Sequence, residues 1–277
     1  MGPTALGLVA GIIDRIEGAP RTGPGHPRAP TDAVLASLRF FLREGVQWRE
    51  WRAELGRSSG STLRRRLREW SATALLRRVQ AVLVRMVRSG PEAAAAAWDV
   101  VIDSCSVRAS RRCAATPGGR RNEVSPRAKR GGELTGPNPT DRGKRGTKYH
   151  VVAATDGIPL AALPSAANVH DTMLFPGLLR RAMVVCVALA RLYADAAYDS
   201  AANRGLCWRE GILPVIRHSG EPHRSGLGTV RRIVENVNAW LLANKRLDRR
   251  NDRLAFIIDA LLTAACIWVI ANRLVEF

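Results

Sequence analysis

"RLYADAAYDS", residues 191–200, follows the apolar run "MVVCVALA" at 183–190 and carries two aspartates four positions apart, Asp195 and Asp199. The run reads as a buried strand, "VVCVALARLYA", so Asp195 falls where that strand ends. A carboxylate taken out of water costs several kcal/mol unless a partner or a cation neutralises it. Asp195 is therefore either a solvated turn residue or the holder of something positive. The rest of the chain sharpens the question, because 43 lysines and arginines outnumber 24 aspartates and glutamates and leave a formal net charge of +19.

A surplus of that size makes a polyanion the leading partner, nucleic acid first and an acidic membrane second. Lysine occurs only at Lys129, Lys144, Lys148 and Lys245, so nearly all of the positive charge is arginine. At 277 residues with 46% hydrophobic content, the chain has room for one large domain or two modest ones around a real core. Five scattered cysteines without a CxxC pair argue against a structural zinc or a disulfide framework and favour a reducing, cytoplasmic setting. "MGPTALGLVAGIIDRIEG" lacks a basic leader and makes a poor signal peptide. "LAFIIDALLTAACIWVIANRL" approaches bilayer length, but Asp259 interrupts it, and a buried helix rather than a membrane span is expected.

Residues 31–88 read as helical. Thr31 can cap a helix with Val34, Leu35, Leu38 and Phe41 on one face. A short helix "REWRAEL" (49–55), the turn "GRSSGS" and the segment "STLRRRLREW", capped by Ser61, then form a helix-turn-helix candidate bearing Arg64, Arg65, Arg66 and Arg68. A solvated arginine face is an equal alternative from the pattern alone, and the overall charge tips the choice toward DNA. The pattern changes at "WDVVIDSCSV", a strand. Residues 110–148 form a long basic loop whose Arg120, Arg121, Lys129, Arg130, Arg142, Lys144 and Arg145 suit phosphate contacts. "TKYHVVAAT" and "IPLAALPSA" flank a "DG" hairpin turn. A helix, the strand before Asp195, a short helix, the strand "ILPVI" and a long helical region from about residue 229 complete the chain. That order predicts a mixed α/β sheet flanked by helices (97–277), preceded by an all-helical domain (22–92) and an N-terminal segment (1–21).

Asp103 lies within the first strand, Asp195 just after a central one, and Glu235 on the final helical region, with Arg231 one turn before it. Functional groups gather at the carboxyl ends of strands in open α/β sheets. Three carboxylates converging there would repel one another. Hard divalent cations such as Mg²⁺ resolve that conflict, and a pair of them suits phosphoryl transfer.

From about residue 22 onward the chain resembles the DDE transposases of bacterial insertion sequences, in particular the insertion-sequence-five-like group. "GPGHPRAPTDAVLASLRFFLREGVQWREW" looks like the N-terminal domain of that group, and "DSCSVRA" like its first aspartate block. "GPNPTDRGKRGTKYHVV", "DGIPLA" and "AANVHDT" resemble the linking segments. "RLYADAAYDS" resembles the second aspartate block and "GLGTVRRIVENVNAWLLANKRLDRRNDR" the glutamate block. The resemblance implies an RNase H-like fold with Asp103, Asp195 and Glu235 as catalytic residues holding two Mg²⁺ or Mn²⁺ ions. It also implies hydrolysis at the element's ends followed by attack of the freed 3′-hydroxyl on target DNA. The implied partners are double-stranded DNA (terminal inverted repeats and target) and a second copy in a homodimer, at the nucleoid in the cytoplasm. Lys148, Arg231, Lys245 and Arg246 join the expected DNA contacts.

Several positions depart from the family pattern. Ala196 and Ala197 replace a basic residue and a glycine, Asn236 a basic residue, Gly228 a tyrosine and Leu242 a lysine. These departures motivate a second reading, a catalytically impaired copy that only binds DNA, and a plain metal-dependent nuclease is a third. Without the resemblance, Asp103 reads more readily as a turn residue capping a strand than as a metal ligand, and Glu235 as a surface charge paired with Arg231 or Arg232. Asp199 reads as the cap of "SAANRGL", the tryptophans as packing, and the histidines as outside the mechanism.

Overall fold

The computed structural model describes residues 4–18, 27–48, 50–51, 53–89, 96–110, 132–186, 188–218 and 227–275. Arg120, Arg121, Lys129 and Arg130 lie outside these.

β1 (Trp98–Arg108) is the middle of the sheet. On one side it pairs antiparallel with β3 (Arg145–Ala154), which pairs antiparallel with β4 (Pro159–Ala166) and with the short β2 (Gly136–Pro137). On the other side β5 (Leu189–Ala194) and then β6 (Leu213–Ile216) run parallel to it. Three antiparallel strands followed by two parallel ones is the strand order of an RNase H-like sheet, as expected. The β3–β4 hairpin turns at the "DG" pair, where Gly157 has a φ of 88° that a side chain would resist.

Three local expectations fail. The basic loop does not run to residue 148, because β3 already begins at Arg145. The apolar run before Asp195 is split: α5 (Phe175–Val185) takes its first residues, and only Leu189–Ala194 is strand. Continuous apolar stretches carry no period to separate helix from strand. Finally, the described residues of 49–55 form no helix. They make turns and a Glu54–Arg57 bridge, because Trp51 is committed elsewhere. Its indole N–H donates to the Ser58 carbonyl at 2.7 Å, and its ring packs on Phe40.

α1 (Ala5–Glu17), α2 (Thr31–Glu44), α3 (Gly60–Ala72) and α4 (Leu75–Val87) do not form a body apart. Their apolar faces join one core with the sheet. α1, α3 and α4 pack on α9 (Ala255–Val275), which itself lies against β4. α9 is long and apolar enough to cross a membrane, yet here it is buried on all sides from Ile257 to Ala271 except at Asp259 and Val269. A helix that is apolar all round needs neighbours all round, and the N-terminal helices supply them. Within the segment 1–21, residues 5–17 form a helix packed into that shared core. The long C-terminal helical region breaks into α7 (Leu227–Leu242), α8 (Lys245–Asp248) and α9. α6 (Ala201–Arg209) lies between β5 and β6.

Candidate active site

In the parallel β1–β5 ladder the last pair is Ile102 with Ala194; Asp103 is the next residue on β1, and Asp195 directly follows β5. Neighbouring strands lie about 4.8 Å apart, which brings these two carboxyl-bearing residues side by side. Asp195 ends β5 and caps the 3₁₀ turn Ala196–Tyr198, its Oδ1 accepting from the Ala197 N–H at 3.0 Å. α7 packs across β1 and β3 with Val234 and Val237 buried, and this carries Glu235 to the same end.

The three carboxylates feel one another's charge. The Asp103 carboxyl is pushed up to about 6, chiefly by burial. The Ser104 N–H and the Arg231 charge oppose that rise, whereas the Asp195 and Glu235 charges add to it. Glu235 is held outward by Arg231 at 3.1 Å, one turn away on α7. Among the described residues, no three His, Cys, Asp or Glu side chains stand close enough together to cage a metal ion. The two aspartates are neighbours, and the glutamate is electrically near but ion-paired.

The expected DNA-contact residues separate into two kinds. Arg64, Arg65 and Arg68 on α3, Arg142 and Lys144 in the turn before β3, and Lys245 on α8 are exposed. Lys245 reaches Glu44 at 2.9 Å. Half-buried Arg145 donates to the Thr135 carbonyl. Three others are internal struts, which corrects the expectation for them. Arg66, 1% exposed, pairs with Glu17 at 2.7 Å and Glu69 at 3.0 Å. Arg246 forms a buried two-pronged pair with Asp252 (2.7 and 2.8 Å) and lies over Phe41. Lys148 is hydrogen-bonded to Asp171 and to the Val169 carbonyl. Asp199 is likewise not a cap: Ser200 caps α6, and Asp199 pairs with Arg204 at 2.8 Å. Ser59, rather than Ser61, caps α3.

Two features escaped the sequence. A buried polar group of Ser104, His150, Ser165, Asp171 and Tyr198 lies behind the aspartates. The only sequence signal for it was the histidine–aspartate pair at 170–171. In addition, Arg77, Arg78, Arg85 and Arg180 line a cleft of about 570 Å³ between α4 and α5, with no ion pair among the described residues.

The model of the family "Transposase DDE domain" matches residues 96–270. A Burkholderia cepacia protein described as a transposase for insertion sequence element IS402 is 42% identical over 154 residues, 50% of this chain and 70% of that protein. An uncharacterised 16.2 kDa protein of the same element is 34% identical over 86 residues, 31% of this chain and 57% of the relative. Among solved structures, the Mos1 strand transfer complex aligns with 94% of this chain and 82% of its own, at 12% identity and a TM-score of 0.29. The family match covers more than half of the chain and spans the strands that carry Asp103 and Asp195 and the helix that carries Glu235, so the chain belongs to the DDE-domain transposases of bacterial insertion sequences.

Proposed function

We propose that this transposase binds the ends of its insertion element as a homodimer, cuts them by hydrolysis, and joins the freed 3′-hydroxyl to target DNA. Asp103, Asp195 and Glu235 serve as the catalytic carboxylates. The single observation that supports this reading is that Asp103 and Asp195 each directly follow the last paired residues, Ile102 and Ala194, of the parallel β1–β5 ladder, with the Glu235 charge felt at Asp103.

The donor set suits hard divalent cations, since all three groups offer carboxylate oxygens. Asp103 supports that fit. Burial leaves its anion under-compensated, the condition that a bound cation relieves. Two ions, Mg²⁺ or Mn²⁺, would supply Lewis-acid activation of the attacking oxygen and stabilisation of the leaving one. Asp103 and Asp195 would anchor them from the rigid sheet, and Glu235 would join from α7 on release from Arg231. Arg231, left at the rim, would then face the phosphodiester. β1 and β3 continue past the aspartates to the turn that carries Arg142 and Lys144. Together with Arg64, Arg65 and Arg68 from the 22–92 region, and with Arg145 and Lys245, these cations would hold the duplex by its phosphates.

The test is nicking and joining of a DNA end from the chain's own element in Mg²⁺. The wild-type chain is expected to nick, and Asp195→Ala and Glu235→Gln to abolish it without loss of end binding. Nicking unchanged in Asp195→Ala sinks the reading. The Glu235–Arg231 ion pair favours one alternative, a chain that binds DNA without cutting it. Tight end binding with no nicking at any Mg²⁺ or Mn²⁺ concentration would establish that alternative.

A further inference from the structure

Successive residues of a strand point to opposite faces, so Ser104 looks away from the space that Asp103 enters. On that far side it meets a buried polar assembly. The Ser104 hydroxyl donates to Asp171 Oδ2 at 2.9 Å. Asp171 takes its counter-charge from Lys148 on β3. His150, directly opposite Ser104 in the ladder, is hydrogen-bonded to Tyr198 at 3.2 Å and to Ser165 on β4 at 2.8 Å. Asn203 on α6 donates to the Tyr198 carbonyl at 2.9 Å. His150, Ser165, Asp171 and Tyr198 are all buried.

We infer that Ser104, Asp171 and Tyr198 are positioning residues, which lock the carboxyl end of β1 to the turn after β5 and so fix Asp103 and Asp195 relative to each other. The geometry gives both handles. Ser104 adjoins Asp103 on β1. Tyr198 closes the one-turn 3₁₀ segment that Asp195 opens, so a shift of the phenol turns the Asp195 carboxyl. Asp171 is the hub, because it joins β1 to β3 through Lys148. A network of this kind, largely buried and hydrogen-bonded, holds one arrangement and resists its alternatives. This inference rests on the metal-binding reading above.

Asp171→Asn strands the Lys148 ammonium and lowers stability, so the decisive variants are Ser104→Ala and Tyr198→Phe in the full chain. The measurement is Mn²⁺ affinity without DNA, read as free Mn²⁺ by electron paramagnetic resonance. Melting temperature and metal-free binding to end DNA are followed in parallel. Loss of an outer hydrogen bond to a metal site weakens metal binding by roughly tenfold or more. Both variants are expected to show that loss with DNA binding unchanged, and raised Mn²⁺ is expected to restore nicking to Tyr198→Phe but not to Asp103→Asn. Gln80→Ala is the control for ordinary destabilisation: it removes a buried side chain that caps the Pro159 and Leu160 carbonyls, far from the site, and should leave Mn²⁺ affinity intact. Wild-type Mn²⁺ affinity in Ser104→Ala and Tyr198→Phe would overturn the inference while leaving the metal reading standing. A wild-type chain that takes up no Mn²⁺, with Asp103→Asn no different, would overturn both.

Discussion

Asp103 is half-buried beside two other acids, and its behaviour in the metal-free chain follows from that. Its folded value near 6 lies above the ordinary 3.8 because burial disfavours the anion. The folded state therefore holds the proton more tightly than the unfolded one, so the destabilisation is absent at low pH, grows as pH rises from about 3.8 to about 6, and is complete above 6. Between pH 4 and 7.5 this amounts to about 2 kcal/mol at 1.36 kcal/mol per unit. His150 slopes the other way, since burial pulls it down to about 4 and its stabilising neutrality is lost on acidification. The Asp103 contribution is isolated by the difference between wild type and Asp103→Asn in urea titrations with chelator. The variant is expected to gain on wild type by about 2 kcal/mol over that range; a constant difference would show that Asp103 titrates normally. At the same scale, adjacent cations have opposite fates. Arg246→Ala takes the guanidinium counter-charge away from buried Asp252 and should lose about 3–5 kcal/mol in denaturant unfolding. Lys245→Ala, at an exposed pair with Glu44, should leave the midpoint nearly unchanged. Nothing in "ANKRLDRR" tells the two apart. Their difference arises from what α2 and the segment after it place against them, some 200 residues earlier in the chain.

At the scale of elements, what could be read from the sequence was what is local. The "DG" turn, the strand "WDVVIDSCSV" and the break before "ILPVI" depend on residues within a few positions, and each element formed there. The division of "MVVCVALARLYA" into the end of α5 and β5 was not legible. An unbroken apolar run suits either structure, and packing of Leu178, Leu179, Ala182 and Val185 decided it. Asp103 and Asp195 stood out at strand ends, and the resemblance to the aspartate blocks singled them out as candidates. Their support by Asp171 was hidden, since Ser104 and Asp171 are 67 positions apart. The β1–β3 ladder that carries Asp103 includes one close backbone approach, at Gly146. A Cβ on Gly146 would lie 2.6 Å from the Val107 carbonyl oxygen, closer than real side chains come. Gly146→Ala must push the two strands apart, with an expected loss of about 2 kcal/mol or more. Because the displaced ladder carries Asp103, nicking should fall further than the unfolding midpoint alone explains. Wild-type stability together with wild-type nicking would show that the ladder yields without consequence.

Over the whole molecule, the charge of +19 is two populations rather than one field. Arg66, Arg246, Arg250 and Lys148 are internal fastenings: they tie the N-terminal helices, α8 and the start of β3 into the common core. Arg64, Arg65, Arg68, Arg142 and Lys144 face solvent and remain available to a polyanion. Each phosphate contact to duplex DNA contributes about −0.9 to the slope of log affinity against log salt. Removing two exposed arginines as Arg64→Ala/Arg65→Ala should therefore make that slope shallower by roughly 1.8, with the unfolding midpoint intact. Arg66→Ala should do the reverse. Its guanidinium is closed off by Glu17 and Glu69 and stacked on Trp70, so the midpoint should fall while the salt slope of the folded fraction stays as in wild type. The comparison is a binding titration of element-end DNA at three or more salt concentrations for each variant. A slope that drops for Arg66→Ala and holds for Arg64→Ala/Arg65→Ala would mean that DNA approaches from a side of α3 now covered by α1, and that the helical layer must open before the transposase can bind.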